Sequence, residues 1–248
     1  LARWLASWST LAGILVLAEQ RDQKWRRVKR EFKRSGVVGF ADVVAYRFVH
    51  RLSWQRLDAE YLERLLADID ARFPPLPVDL PTLTTASPNS PEARRFLEGL
   101  RPDMAIARCK VILKPEIFEI PTIGTFVMHP GICPEYRNAH GCFWALAKGD
   151  LHKVGMTLLK VDRGIDTGPI YGHYTCRYDE ARDSHITIQS RVVFDNLDAI
   201  RDKLLEVAEN RATPIDVTGR PSGVWGQPRL SAYVAWRTSL RHRQGSPS

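Results

Sequence analysis

The sequence is short of several features that would define a protein by themselves. It has four cysteines in 248 residues, Cys109, Cys133, Cys142 and Cys176. No two of them stand in C-x-x-C spacing, which excludes the usual redox motif and the zinc ribbon, and the density is too low for a disulfide scaffold. Reduced thiols, and with them a cytoplasmic setting, fit best. No run of about 20 apolar residues occurs, so no transmembrane helix is expected. Low-complexity segments and internal repeats are absent, which excludes collagen-like and disordered classes. The chain begins at Leu1 rather than Met, and its apolar start contains Arg3 and lacks the small-residue cleavage site of a signal peptide.

What is present is ordinary globular composition, 44% apolar and 26% charged. The length suits one large domain, or one domain with an appendage. The formal net charge is +8, and residues 21–34 alone contribute +6, with eight Lys and Arg against Asp22 and Glu31. Such a run is either a solvated helix face or an anion or nucleic-acid patch. No recognised nucleic-acid motif accompanies it.

Leu1 to Leu11 reads as the end of a helix. Ile14 to Ala18, bounded by Gly13 and Glu19, has the pattern of a buried parallel strand. Lys24 to Leu52 is helical and basic with a break at Ser35-Gly36, and Leu57 to Ile69 is helical. Ser90-Pro91-Glu92 starts a helix that runs to Gly99. Strands are expected at Met104 to Ala107, Gly124 to Met128, Val154 to Val161 and Ile170 to Tyr174. Asn138 to Leu146 is expected to lead into a helix, and Ser184 to Glu209 to form a long helical stretch. Strands alternating with helices predict an α/β fold with a mainly parallel sheet, whose ligands bind at the carboxyl ends of strands. Residues 1–212 are expected to form the main domain and 213–248 a mostly loop extension, with Trp225, Tyr233 and Trp236 packing against the core.

The informative stretch is Gly124 to Ile170. His129 closes a β-rich run and precedes Pro130-Gly131, which places an imidazole where active-site loops begin. Asp166 lies in Gly164-Ile165-Asp166-Thr167-Gly168-Pro169, a rigid turn after another strand. A carboxylate beside a histidine fixes its tautomer and suits proton transfer or oxyanion stabilisation. The same residues also fit a histidine capping a strand and an aspartate stabilising a turn. Cys133 and Cys142 read as small buried residues. His152, His173 and His185 have no metal-ligand spacing and read as surface or capping residues, and no metal is expected.

Five motifs in order carry a resemblance: His129-Pro130, Pro134-Glu135-Tyr136-Arg137, Trp144-Ala145-Leu146, Gly155-Met156-Thr157 and Asp166-Thr167-Gly168-Pro169. Together with Lys110-Val111-Ile112-Leu113-Lys114-Pro115, they resemble the catalytic core of the formyltetrahydrofolate-dependent formyltransferases, over roughly residues 100–170. The resemblance implies a doubly wound, Rossmann-like sheet whose first strand would lie upstream of Leu1. It implies transfer of a formyl group from 10-formyltetrahydrofolate, as co-substrate, to an amine. His129 would stabilise or protonate the oxygen of the attacked formyl group, and Asp166 would orient His129 and help shuttle the amine proton. Folate would lie against Val111, Ile112 and Leu113 and against Val161, Asp162 and Gly164. Tyr136, Arg137 and His140 would face the acceptor.

One position departs from the pattern. The family has an asparagine two residues before the histidine, and here that residue is Val127. An isopropyl group donates no hydrogen bond, and losing one oxyanion donor costs about 10²–10³ in rate. Asn138 or His140 could substitute as donor. The alternative is a relative with altered chemistry, either a formyl hydrolase or a non-catalytic folate or nucleotide binder. Fewer than 40 residues follow Asn210, too few for the tRNA-binding domain of methionyl-tRNA formyltransferases, so nucleic acid is not the expected acceptor. A small amine is expected instead: an amino sugar, an amino acid or a secondary-metabolite amine. No membrane partner is expected, and a homo-oligomer is compatible with the sequence.

Overall fold

The structure, a computed structural model, describes residues 1–18 and 21–245. Glu19 and the side chains of Arg21, Lys24, Arg26 and Arg27 in the basic run lie outside the described residues. The first helix, α1 (Ala2–Ala6), buries Trp4 and is shorter than its apolar pattern suggests. The Ser7 and Ser9 hydroxyls donate to the Trp4 and Leu5 carbonyls, local bonds that compete with helix continuation.

β1 (Ile14–Leu17) precedes α2 (Arg21–Ser53), which is interrupted at Gly36. Gly36 has φ 68°, a left-handed conformation that glycine adopts freely. α3 (Gln55–Arg72) follows, then β2 (Thr82–Thr85), which pairs with β1 in parallel. β1 is less buried than expected: it has one partner strand, and Val16 is open to solvent. α4 (Pro91–Leu100) starts as its sequence predicts, with the Ser90 hydroxyl accepting from the Ala93 N–H at 3.1 Å and Pro91 in the first turn.

β3 (Met104–Ala107), α5 (Pro115–Phe118) and β4 (Gly124–His129) come next, then β5 (Arg137–Asn138), α6 (Gly141–Lys148), β6 (Gly155–Lys160) and β7 (Ile170–Thr175). The main sheet has the order β3-β4-β6-β7. β3 and β4 are parallel, whereas β6 is antiparallel to both β4 and β7. Short links such as 161–169 suffice for an antiparallel return. β5 pairs in parallel with β8 (Val224–Trp225) from the tail. Three of the five pairings among the described residues are therefore parallel, in a mixed α/β fold.

The predicted long helix is two helices, α7 (His185–Phe194) and α8 (Leu197–Ala208). Asn196 separates them, its amide donating to the Val192 and Thr175 carbonyls. Their apolar stripes bury Ile188, Val192, Leu197, Ile200 and Leu204 against Phe126, Met156 and Leu158 of the sheet. Each such side chain contributes about 1.5–3 kcal/mol on burial. The tail corrects the sequence reading: residues 230–245 form a helix, α9 (Leu230–Gly245). No glycine or proline falls between Pro228 and Gly245, and over that stretch Tyr233, Trp236 and Leu240 recur at helical spacing. Trp236 and Leu240 are buried, and Tyr233 and Trp225 pack on the core as expected.

Candidate active site

β4 carries His129 to the carboxyl end of a central strand, opposite Thr157 of β6. The imidazole is 5% exposed. Its Nε2 lies 2.8 Å from the Tyr136 carbonyl oxygen. A carbonyl only accepts, so Nε2 carries a hydrogen. Its Nδ1 lies 3.5 Å from Asp166 Oδ2. A neutral imidazole has one N–H, so Nδ1 and an ionised Asp166 would meet lone pair to lone pair. A hydrogen between Nδ1 and Asp166 would make that contact favourable.

The loop after β6 aims Asp166. Asp162 accepts from the Gly164 N–H at 2.9 Å and the Thr167 hydroxyl at 2.8 Å. The Asn138 backbone N–H donates to Asp166 Oδ2 at 2.7 Å, and Arg137 Nη1 donates to the Ile165 carbonyl at 3.2 Å. Five non-glycine residues have positive φ among the described residues, and Asn138, His140 and Asp166 are three of them. Each such backbone costs about 1–3 kcal/mol, and strain of this kind gathers where geometry is functional.

Gly131 makes the histidine contact feasible. A Cβ there would stand 2.4 Å from the Tyr136 carbonyl oxygen and 2.8 Å from His129 Nε2. Buried Thr157 fixes the same loop, donating to the Gly131 carbonyl at 2.7 Å and accepting from the Cys133 N–H at 2.9 Å. Cys133 and Cys142 are buried as expected, and burial pushes the Cys133 thiol up to about 12.

A cavity of about 470 Å³ opens beside His129. All six residues expected on the folate side line it: Val111, Ile112, Leu113, Val161, Asp162 and Gly164. Val127, His129, Asn138 and Asp166 line it as well. A second hollow, about 320 Å³, is lined by Arg137, Asp166 and residues of the 167–170 and 215–222 segments. Asp166 borders both.

Two expected acceptor contacts are corrected. Tyr136 is buried: its hydroxyl donates to Asp150 and its carbonyl is used by His129. Burial and Asp150 hold its phenol well above the usual range. His140 lines neither hollow. It turns inward, its ring 5.3 Å from that of His185, and burial followed by Arg47 and Lys110 lowers its pKa to about 4. Asn138 is at the site, but its side-chain amide donates to the Trp225 carbonyl. His185, read as a surface or capping residue, is buried, and its Nδ1 shares a hydrogen bond of 2.9 Å with the Tyr46 hydroxyl.

Sequence reasoning missed the tail's role. Arg220 grips Glu135 through two hydrogen bonds, at 2.7 and 3.1 Å. Against the upward push of burial, Arg220 and Lys153 hold the Glu135 carboxyl below its ordinary range. Trp225 Nε1 donates to the Glu135 carbonyl at 2.8 Å, and the Arg137 N–H to Gly223 at 3.0 Å. Residues 220–226 thus hold the 134–138 loop that supplies contacts to His129 and Asp166. Ile186, Gln189, Ser190 and Arg108 also line the cavity unforeseen. No motif marks them. Among the described residues no group of three or more His, Cys, Asp or Glu is placed to hold a metal ion.

A mixed α/β, Rossmann-like sheet thus carries a His–Asp pair beside a ligand-sized cavity. The family described as Formyl transferase matches residues 63–204, more than half of the chain. The chain belongs to that family. A methionyl-tRNA formyltransferase of Roseiflexus sp. (strain RS-1) is 28% identical over 190 residues, covering 69% of this chain and 58% of that protein. One from Dehalococcoides mccartyi (strain ATCC BAA-2266 / KCTC 15142 / 195) is 38% identical over 82 residues, 33% of this chain and 26% of that protein. The chain thus spans less than two thirds of these relatives. Among solved structures, the formyltransferase PseJ from Anoxybacillus kamchatkensis, in complex with UDP-4,6-dideoxy-4-formamido-L-AltNAc and tetrahydrofolate, is 16% identical with a TM-score of 0.46. That similarity covers 67% of this chain and 80% of PseJ. A phosphoribosylglycinamide formyltransferase from Anaplasma phagocytophilum is 18% identical with a TM-score of 0.46, over 58% and 72% of the two chains.

Proposed function

We propose that the protein transfers a formyl group from 10-formyltetrahydrofolate to the amine of a small molecule, an amino sugar being the first candidate. The observation that carries this reading is the His129–Asp166 pair at the junction of two hollows. The fit to folate rests on the larger hollow. Its volume suits a ligand of that size, and its wall combines the apolar 111–113 segment with Val161 and the turn at Asp162 and Gly164. The bound folate supplies the formyl group. Arg137 and the 215–222 segment border the smaller hollow, which we assign to the acceptor.

His129 holds a proton for the oxygen that gains negative charge as the amine attacks. Asp166 keeps that imidazole in place and takes up the proton that the amine loses, which passes to the folate nitrogen as that nitrogen's bond to the formyl carbon breaks and tetrahydrofolate leaves. Asn138 is a positioning residue: its backbone N–H fixes Asp166 and its side chain is tied to Trp225. Val127 adds only apolar surface, so the proton on His129 carries more of the charge stabilisation than it would beside an amide donor.

Calorimetric titration with 5-formyltetrahydrofolate tests the folate assignment. One-to-one binding is expected, weakened by Ile112→Asp without loss of the folded state. Absence of binding by the wild type contradicts the reading.

A further inference from the structure

Helix α2 turns to solvent a face that the fold does not use. Its inner side carries Val43 and Tyr46, both buried, with the Tyr46 ring packed against Phe143, His185 and Tyr233. Its outer side carries Val37, Val44, Phe48 and Leu52 at spacings i, i+7, i+11 and i+15, all 47–71% exposed. At 1.5 Å per residue this stripe is about 22 Å long. Isolated exposed apolar residues are ordinary, whereas a contiguous stripe marks an interaction site. Before the break at Gly36 the same helix exposes Trp25 and Phe32, again seven residues apart. They lie in the 21–34 segment of net charge +6, where Lys29, Arg30 and Lys33 are exposed. Arg51 is exposed at the other end of the stripe.

We propose that α2 docks on a bilayer surface rich in anionic lipid, its apolar stripe in the interface and its cationic side chains among the phosphate headgroups. Charge selects this occupant. A second copy of the chain would bring the same cationic segment to the same face, and like charges oppose that contact. A nucleic acid would match the charge but leave Val37, Val44, Phe48 and Leu52 uncovered. An anionic lipid surface satisfies both features. No helix of the described residues is long and apolar enough to cross a membrane, so the contact is peripheral.

Co-sedimentation of the whole chain with vesicles tests this, comparing phosphatidylcholine alone with phosphatidylcholine containing phosphatidylglycerol. The protein is expected to pellet with the anionic vesicles only, and to be released as salt rises. Lys29→Gln with Lys33→Gln should weaken binding about thirtyfold, as expected for two charges near the surface. Phe48→Ser with Leu52→Ser should weaken it as well, with thermal unfolding unchanged because both side chains are exposed. Equal binding to neutral vesicles, or none to anionic ones, overturns the proposal. So does a dimer in sedimentation that Phe48→Ser and Leu52→Ser abolish, or binding of a generic RNA that matches the anionic vesicles and is indifferent to that pair of substitutions.

Discussion

Acidification should destabilise the fold well before the carboxylates titrate, because His140 and His185 sit neutral in one cluster beside His50, Tyr46 and Asp58. Burial, then Arg47 and Lys110, lowers His140 from 6.5 to about 4. Burial, then His140 and His50, lowers His185 well below 6.5. The folded protein therefore binds fewer protons than the unfolded chain between these values. The stabilisation is complete above about pH 6.5 and is lost as pH falls from there. For His140 alone, linkage from about pH 7.5 to about pH 4.5 gives on the order of 2–3 kcal/mol. That is an upper value, since Nδ1 is enclosed but the residue as a whole is only half-buried. His185 adds a loss of the same sign, whereas Asp195, raised by burial, runs the other way. Urea unfolding at several pH values measures this directly through a falling midpoint at constant slope. His140→Asn tolerates the left-handed backbone at φ 54° and removes the titration, so it should flatten the profile. A stability profile level between about pH 7.5 and about pH 4.5, or an unflattened one in His140→Asn, would refute this reasoning.

Other predictions follow from the same contacts. Gly131→Ala should cost about 1–3 kcal/mol in urea unfolding, because a Cβ meets the Tyr136 carbonyl and His129. Asp166→Asn keeps an acceptor for the Asn138 N–H but removes the charge, so kcat should fall about 10²–10⁴ with thermal stability little changed. Arg220→Ala leaves Glu135 buried without its main partner, which should cost about 2 kcal/mol and speed proteolysis near residue 220. Trp236→Ala should cost about 3–5 kcal/mol, since its ring is wholly enclosed.

Much of this was legible in the residues because local signals agree with tertiary structure. Continuous apolar runs gave β4 and β6, and the Ser90-Pro91 start gave α4. His129 was legible because it ends a strand before Pro130-Gly131, and Asp166 because it lies among turn residues in the loop between two strands. The six residues that the resemblance put on the folate side all line the larger hollow, beside others that it did not indicate. The remainder was hidden for physical reasons. His140 and Tyr136 lie in the expected loop, but their inward turn depends on His185 and Asp150, partners far away in sequence or on other elements. The tail's glycines and prolines signal loop correctly, yet nothing local says that Arg220 and Trp225 reach back some 85–90 residues to Glu135. α9 was missed because three apolar residues at helical spacing follow a loop-rich stretch without a capping signal.

The central claim is that the His129–Asp166 pair supports formyl transfer, and formation of the formamide product tests it most directly. The full protein, 10-formyltetrahydrofolate and a panel of nucleotide-linked amino sugars should give a product heavier by one formyl group. His129→Ala should abolish the product while circular dichroism shows an intact fold. Product formation undiminished in His129→Ala, or formate release with no amine formylated across a broad panel, would contradict the account.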